Sequence, residues 1–258
     1  MAVSILIGVV LAVGSLIASF IMEGGSLHSL ISTTSLILIF GGTMGAVFVS
    51  FPLSDIISVP KALAKLIGKN NNEVNMISYI VELANKVRKE GLLSLEKELN
   101  NMDSFLRKGI QLVIDGGDPE FIRSVMETEL YSIRETINIG HKIFEAAGGY
   151  APTMGIIGTV MGLVHVLGNL KNPEMLGPSI AMAFLATLYG VGSANIIWLP
   201  MAEKLKTVSK QEQLLYEIVI EGILLIQNGI NPTLIQERLV AFLQPNQKEI
   251  VGGSINAV

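Results

Sequence analysis

Cysteine is absent from the 258 residues, which excludes disulfides, thiolate metal sites and cysteine nucleophiles. Charge is scarce. Asp, Glu, Lys and Arg make up 16% of the chain while half of it is hydrophobic, against about 25% charged in an average soluble domain. Such a chain is too apolar for an ordinary soluble protein. The net charge is −4 and aromatics are only 6%; with no basic tract and no stacking platform, nucleic acid is not expected as a partner. His28, His141 and His165 lie too far apart in sequence to give a metal-ligand spacing, and no residue pattern calls for a cofactor.

What charge there is lies in blocks. Residues 1–22, 24–54, 146–170 and 175–202 contain no Asp, Glu, Lys or Arg, and each run is long enough for a helix of about 20 residues to cross a bilayer. The expectation is an all-α integral membrane protein with four transmembrane helices, near 2–22, 30–52, 150–170 and 179–201. The first run has no basic n-region and no small-residue cleavage site, so it reads as a span and not as a signal peptide. The division expected is spans one and two over 1–54, a helical cytoplasmic domain over 55–148, spans three and four over 149–202, and C-terminal helices with a tail over 203–258.

Orientation follows from Lys and Arg. Twelve of the eighteen lie between Lys61 and Lys142, five from Lys204 to Lys248, and the remaining loops hold only Lys171. The positive-inside rule then places both charged segments and both termini in the cytoplasm, with EGGSLHS and KNPEMLGP outside.

Between Asp55 and Glu145 apolar residues recur at three- and four-residue steps, as in VNMISYIVELANKVRKEGLLSLEKELNNM, so this stretch is expected to be helix and not strand. A turn at Gly116 and Gly117, an N-cap at Asp118 and Pro119 at the first position open a further helix. Its amphipathic part closes at Gly148 and Gly149, and it is expected to lead straight into the third span. After the fourth span AEKLKTVSKQEQLLYEIVIEGILLIQNG reads as helix, and Asn231 with Pro232 opens a shorter one through Leu243. The polar tail after Pro245 is expected to fray.

Gly155, Gly158 and Gly162 punctuate the third span, the last two as a G-x-x-x-G pair that lets another helix approach closely. Thr159 and Thr187 each lie about nine residues, or roughly 13 Å, into their spans, near the middle of a ~30 Å hydrocarbon core. They could line one polar path; alternatively each hydroxyl bonds the carbonyl one turn back in its own helix. Tyr189, Ser193 and Asn195 add polar atoms to the inner half of the fourth span, and His165 to the outer half of the third. No span contains a carboxylate, the usual intramembrane proton carrier, so any ion path needs an ionisable group from another chain. Pro152 and Pro200, near the inner ends of the last two spans, read as hinges or as ordinary helix-end prolines. Arg88, Lys89, Glu90, Glu96, Lys97 and Glu98 cluster around Gly91, as a solvated face or as a docking surface of mixed charge.

The stretches RKEGLLSLEKE, APTMGIIGTVMGLVHVLGNL and GPSIAMAFLATLYGVGSANIIWLPMAEKL resemble the MotA and PomA family of flagellar stator channel subunits, and the four-span plan is similar over nearly the whole length. The resemblance implies a non-enzymatic, torque-generating subunit in the bacterial cytoplasmic membrane. It implies a homo-oligomeric ring of such subunits, a pentamer, around two copies of a MotB-type partner whose single spanning helix carries the missing aspartate. It further implies rotor contacts with FliG through Arg88 and Glu96, with Lys89 and Glu98 beside them. Pro152 and Pro200 match the coupling prolines, and Thr159 and Thr187 match hydroxyls facing the partner aspartate. Protons are the expected ion, since the remaining lining of Gly, Ala, Met and Val offers few ligands for sodium. The alternatives are an ExbB- or TolQ-like energiser of an outer-membrane system, related through the last two spans, and a sodium-driven PomA-like stator.

Overall fold

The computed structural model describes residues 2–67 and 73–248; the end of the tail expected to fray lies outside the described residues. Every regular element among them is helical. Four helices are long and apolar enough to cross a membrane: Val3–Met22, Leu27–Ser50, and within Pro119–Gly168 and Pro173–Gln227. The chain is thus an all-α membrane protein with four transmembrane helices, and further helices stand between the second and third spans and after the fourth.

Packing divides the described residues into two compact units. One holds those up to 67 together with Thr136–Val208, and the other those from 73 to 135 together with those from Ser209 onward.

In the first unit the opening span, Ala2–Met22, is a single helix. The second is interrupted. A 3-10 turn at Leu27–Leu30 is followed by extended backbone at Ile31 and Ser32, and the helix proper starts at Thr33. Polar groups exposed by such a break are costly in hydrocarbon, and here Tyr189 satisfies them. Its hydroxyl accepts from the Ser32 N–H at 3.0 Å and donates to the Leu30 carbonyl. Ser32 itself caps the helix through the Ser35 N–H, at 3.3 Å. Both this span and the fourth contain a π-helical turn, Ile37–Gly41 and Ala194–Trp198. Trp198 packs its ring against Phe40 and Phe144, at centroid distances of 6.4 and 5.8 Å. The Leu53–Ile67 helix belongs to this unit: its Ala62 and Leu66 are buried with Ile137, Phe144, Ala202 and Leu205.

The Pro119–Gly168 helix runs for 50 residues, passing Gly148 and Gly149 without a break. Asp118 caps it by accepting from the Glu120 N–H at 3.1 Å. The fourth span is helical from Pro173 and continues through its π turn into Leu199–Gln227, which stops short of Gly229 at φ 67°.

In the second unit Ile80, Leu95, Phe105, Ile110, Ile122 and Ile223 form the centre of a core. The region around Gly91 is helical on both sides, as expected, but in two pieces. An α-helix spans Glu73–Glu90, Gly91 takes φ 82°, and Leu92–Asn101 is 3-10 helix. Glycine adopts this left-handed conformation without the Cβ clash that bars other residues. Three residues per turn then stack Leu92, Leu95 and Glu98 on one face, which drives Leu95 to 0% exposure. Asp103 caps the next helix, Ser104–Ile114, by accepting from the Phe105 N–H at 2.6 Å. The last helix, Pro232–Val240, is capped by Asn231 and ends three residues before the expected Leu243. Glu221 ties this helix to its neighbours, with Arg123 at 3.2 Å and Arg238 at 3.1 Å.

Candidate functional site

The third and fourth spans meet along a seam of small side chains. Ala151, Gly155, Gly158 and Gly162 on one helix face Ser179, Ala183, Ala186 and Gly190 on the other, and all are buried. An ideal Cβ on Gly158 would stand 2.5 Å from the Ala186 Cβ, and one on Gly162 would stand 2.6 Å from the Ala183 Cβ. At Gly155 it would come within 3.2 Å of the Ala186 carbonyl and the Thr187 Cα. The closest approach to backbone is at Gly190, where the added atom would meet the Ala151 carbonyl oxygen at 2.5 Å. Small residues let two helix backbones approach this closely in a bilayer, where apolar burial no longer drives association. The fourth-span half of the seam was not singled out from sequence. Its signal was present, since its spacings of four, three and four repeat those of the third span.

The close approach brings Thr159 and Thr187 together, their hydroxyl oxygens 2.5 Å apart. The Thr159 oxygen also lies 3.1 Å from the Gly155 carbonyl in its own helix and 3.2 Å from the Ala183 carbonyl across the seam. Carbonyls only accept, so the Thr159 proton goes to one of them and Thr187 donates to Thr159. Whichever carbonyl accepts, the bond from Thr187 joins the two helices at Thr159. Both side chains are half-buried, and Ile156, Val160 and Leu163 on the same helix are open to the surroundings. The pair is a patch of oxygen on an apolar surface with no charge of its own.

Of the other polar residues noted in these spans, Ser193 bonds the Gly190 carbonyl at 3.2 Å and Asn195 the Val191 carbonyl at 2.9 Å, each within its own helix. Tyr189 does not join the threonine pair; it holds the break in the second span.

Pro152 lies inside an uninterrupted helix, where its missing N–H leaves the Gly148 carbonyl without its usual donor. Pro200 comes one residue after the π turn Ala194–Trp198; it cannot donate to the Ile196 carbonyl, and a wider turn accommodates that loss. The helices carrying the two prolines touch beside them, since an added Cβ on Gly148 would stand 2.5 Å from Leu199 Cδ2.

The charged cluster separates into two sets. Arg88, Lys89 and Glu96 are exposed and form no ion pair among the described residues, and the same holds for Glu90 and Lys97. Glu98 is turned inward instead, with its carboxylate 2.6 Å from Lys86 Nζ. The Lys86 hydrogen bond, then its charge, hold the Glu98 carboxyl below its ordinary range, and the same bond raises Lys86. Lys86 had no signal in the sequence, because its partner lies twelve residues on, beyond the turn at Gly91.

Two family models match the chain: the MotA/TolQ/ExbB proton channel family over residues 97–218, and the motility protein A N-terminal family over residues 6–91. Motility protein A of Bacillus subtilis (strain 168) is 37% identical over 242 residues, covering 92% of this chain and 89% of that protein. The C. jejuni MotAB structure superposes with a TM-score of 0.89 at 29% identity, covering 95% of this chain and 97% of that one. The flagellar MotAB stator complex from Bacillus subtilis superposes with a TM-score of 0.86 at 36% identity, covering 93% and 96%.

Proposed function

The chain belongs to the MotA/TolQ/ExbB proton channel family as a MotA-type subunit of the flagellar stator, and we propose that its threonine pair faces the ion-carrying carboxylate of a MotB-type partner. It works in an oligomeric complex with that partner and has no enzymatic chemistry. The match of residues 6–91 to a motility protein A region favours this reading over an ExbB- or TolQ-like energiser.

The observation that carries the proposal is the Thr159–Thr187 pair, two hydroxyls joined across the seam of two charge-free spans. An ion crossing hydrocarbon is usually carried by an intramembrane carboxylate, and these spans hold none. The partner's carboxylate supplies it, and the threonine oxygens offer lone pairs on the surface it approaches. A monovalent ion moving inward through 100 mV releases about 2.3 kcal/mol. Neutralising the carboxylate removes much of its desolvation penalty, so each neutralisation lets the apolar ring slip one step around the partner. Five copies surround two of the partner, as the family resemblance implies.

The complex sits in the bacterial cytoplasmic membrane with both termini inside, which the distribution of Lys and Arg supports. Arg88, Lys89 and Glu96 face the rotor protein FliG; their exposure and lack of internal ion pairs leave them available. Glu98 holds the 3-10 segment in place through Lys86. Pro152 and Pro200 permit the bends that couple the spans to the cytoplasmic helices.

Reconstitution in liposomes tests the reading. A membrane potential should drive proton uptake through the chain with its partner, and not through the chain alone or with the partner's aspartate replaced by asparagine. Uptake through the chain alone would sink the proposal.

A further inference from the structure

We propose that an anionic phospholipid of the cytoplasmic leaflet seats between the first span and the inner end of the fourth, its phosphate on Lys204 and an acyl chain in the gap beside it. The first span is the least embraced helix of the protein. None of its hydrophobic window is buried, and Leu6, Val10 and Leu11 are each more than 60% exposed. It meets the fourth span at the π turn Ala194–Trp198, and Ile196 and Ile197 there stand between two gaps, lining both.

The two gaps differ in the sign of the charge at their mouths. The outer one, about 490 Å³, has Glu23 in its lining, and the inner one, about 380 Å³, has Lys204. A phosphate is repelled at the first and attracted at the second. Besides Lys204 and the π turn, the inner gap is lined mainly by apolar residues, Ile5, Gly8, Val9, Ala12 and Met201 among them, with Ser4 and Asn195 as its other polar members. Lys204 is half-buried and forms no ion pair among the described residues; the acid beside it, Glu203, is taken by Lys206 at 3.6 Å. A lysine placed so lays its methylene stem along apolar surface and presents its ammonium at the interface, where the cytoplasmic leaflet carries anionic headgroups.

Charge argues for an anionic lipid over a spanning helix from a second copy, because the spanning runs of this chain carry no Asp or Glu to meet Lys204. An acyl chain is thinner and adapts to an irregular bore. Left empty within hydrocarbon, the gap would deprive its lining of dispersion contacts. The leaflet rests on the cytoplasmic placement of the segment after the fourth span, whereas the binding itself does not.

Native mass spectrometry of the full chain in its assembled form tests this, with phosphatidylglycerol and phosphatidylcholine of identical acyl chains offered together. Phosphatidylglycerol should be retained at least fivefold over phosphatidylcholine. Lys204→Gln should bring that ratio near one, and Lys204→Arg should keep it. Gly8→Phe, at a position where an added Cβ meets nothing within 4 Å, should lower retention of both lipids. Equal retention of the two lipids by the unaltered chain, or a ratio untouched by Lys204→Gln, overturns the proposal. So does a disulfide, formed in native membranes, between a cysteine replacing Ile5 in one copy and one replacing Met201 in another, which would put a second copy in the gap. Retention is read without ion flux, so failure here leaves the stator reading untouched.

Discussion

Thr187 donates its hydroxyl proton to Thr159 across the seam of the last two spans, and Thr159 passes its own to a backbone carbonyl within 3.2 Å. The arrangement satisfies both donors in the absence of any ion. One lone pair of Thr159 and two of Thr187 are left over, and the remaining lining of Gly, Ala, Met and Val adds few side-chain ligands for sodium, whereas a proton needs only the partner's carboxylate.

The ion should therefore be the proton. In cells that swim on this chain and its partner, speed at fixed pH should be unchanged when sodium is replaced by potassium. Thr159→Val should cost about 1 kcal/mol of stability by leaving Thr187 unpaired and should slow swimming without abolishing it. A collapse of speed in potassium would refute the proton assignment.

Two glycines only two residues apart, and so on opposite faces of the helix, should respond very differently to the same change. Gly190→Ala forces a methyl to 2.5 Å from the Ala151 carbonyl, whereas Gly192→Ala meets nothing within 4 Å. Overpacking of this kind costs about 1–3 kcal/mol. Gly190→Ala should lower the thermal midpoint of the detergent-solubilised complex and reduce its assembly, with Gly192→Ala indistinguishable from the unaltered chain. Equal behaviour of the two would mean that the seam is not under compression.

The charged cluster should split by function. Arg88→Glu and Glu96→Lys, at exposed sites, should weaken motility while changing stability by less than about 0.5 kcal/mol. Glu98→Gln should instead loosen the 3-10 segment, read as faster amide exchange over residues 92–101. Loss of the assembled complex on changing Arg88 or Glu96 would assign them a structural role.

Cysteines introduced singly at Ser26 and Asn172 should react with an impermeant thiol reagent from outside the cell, and those at Ser94 and Ser209 should not. Reversed labelling would overturn the topology.

In the second unit Tyr216 stacks on Phe105 at a centroid distance of 4.3 Å, and burial, with Glu212 next, pushes its phenol up to about 12. The neutral phenol is favoured by the fold. Its contribution is therefore complete below the unfolded value near 10 and is lost as pH rises through the folded one. Phenolate absorbance should show one tyrosine ionising near pH 12, and Tyr216→Phe should remove it. Lys86 and Glu98 bound a wider window: their bridge fails at low pH as Glu98 protonates through its depressed value, and at high pH as Lys86 loses its proton above its raised one.

Much of this architecture could be read along the chain, because bilayer solvation acts on sequence directly. An uninterrupted run without charge must either span or be buried, so 1–22, 24–54, 146–170 and 175–202 located four spans. Local capping chemistry worked equally well: Asp118 with Pro119 and Asn231 with Pro232 start helices where their side-chain oxygens accept the first free N–H groups. The break at Gly91 was less visible, since the apolar spacing around it suits an α-helix and only the left-handed φ of the glycine ends one there.

What the sequence by itself determined is thus everything that depends on a residue and its near neighbours: the spans, the caps, the absence of an intramembrane carboxylate, and the excess of positive charge on one side. Tertiary structure alone decided the pairings. Whether Thr159 bonds its own helix or Thr187, whether Tyr189 lines a path or seals a break 157 residues away at Ser32, and whether Glu98 faces outward or meets Lys86 all turn on how helices cross. Hydrogen bonds are short-ranged and directional, so a register shift of a single residue between two helices changes the partner, and periodicity along one helix carries no record of the register on the next.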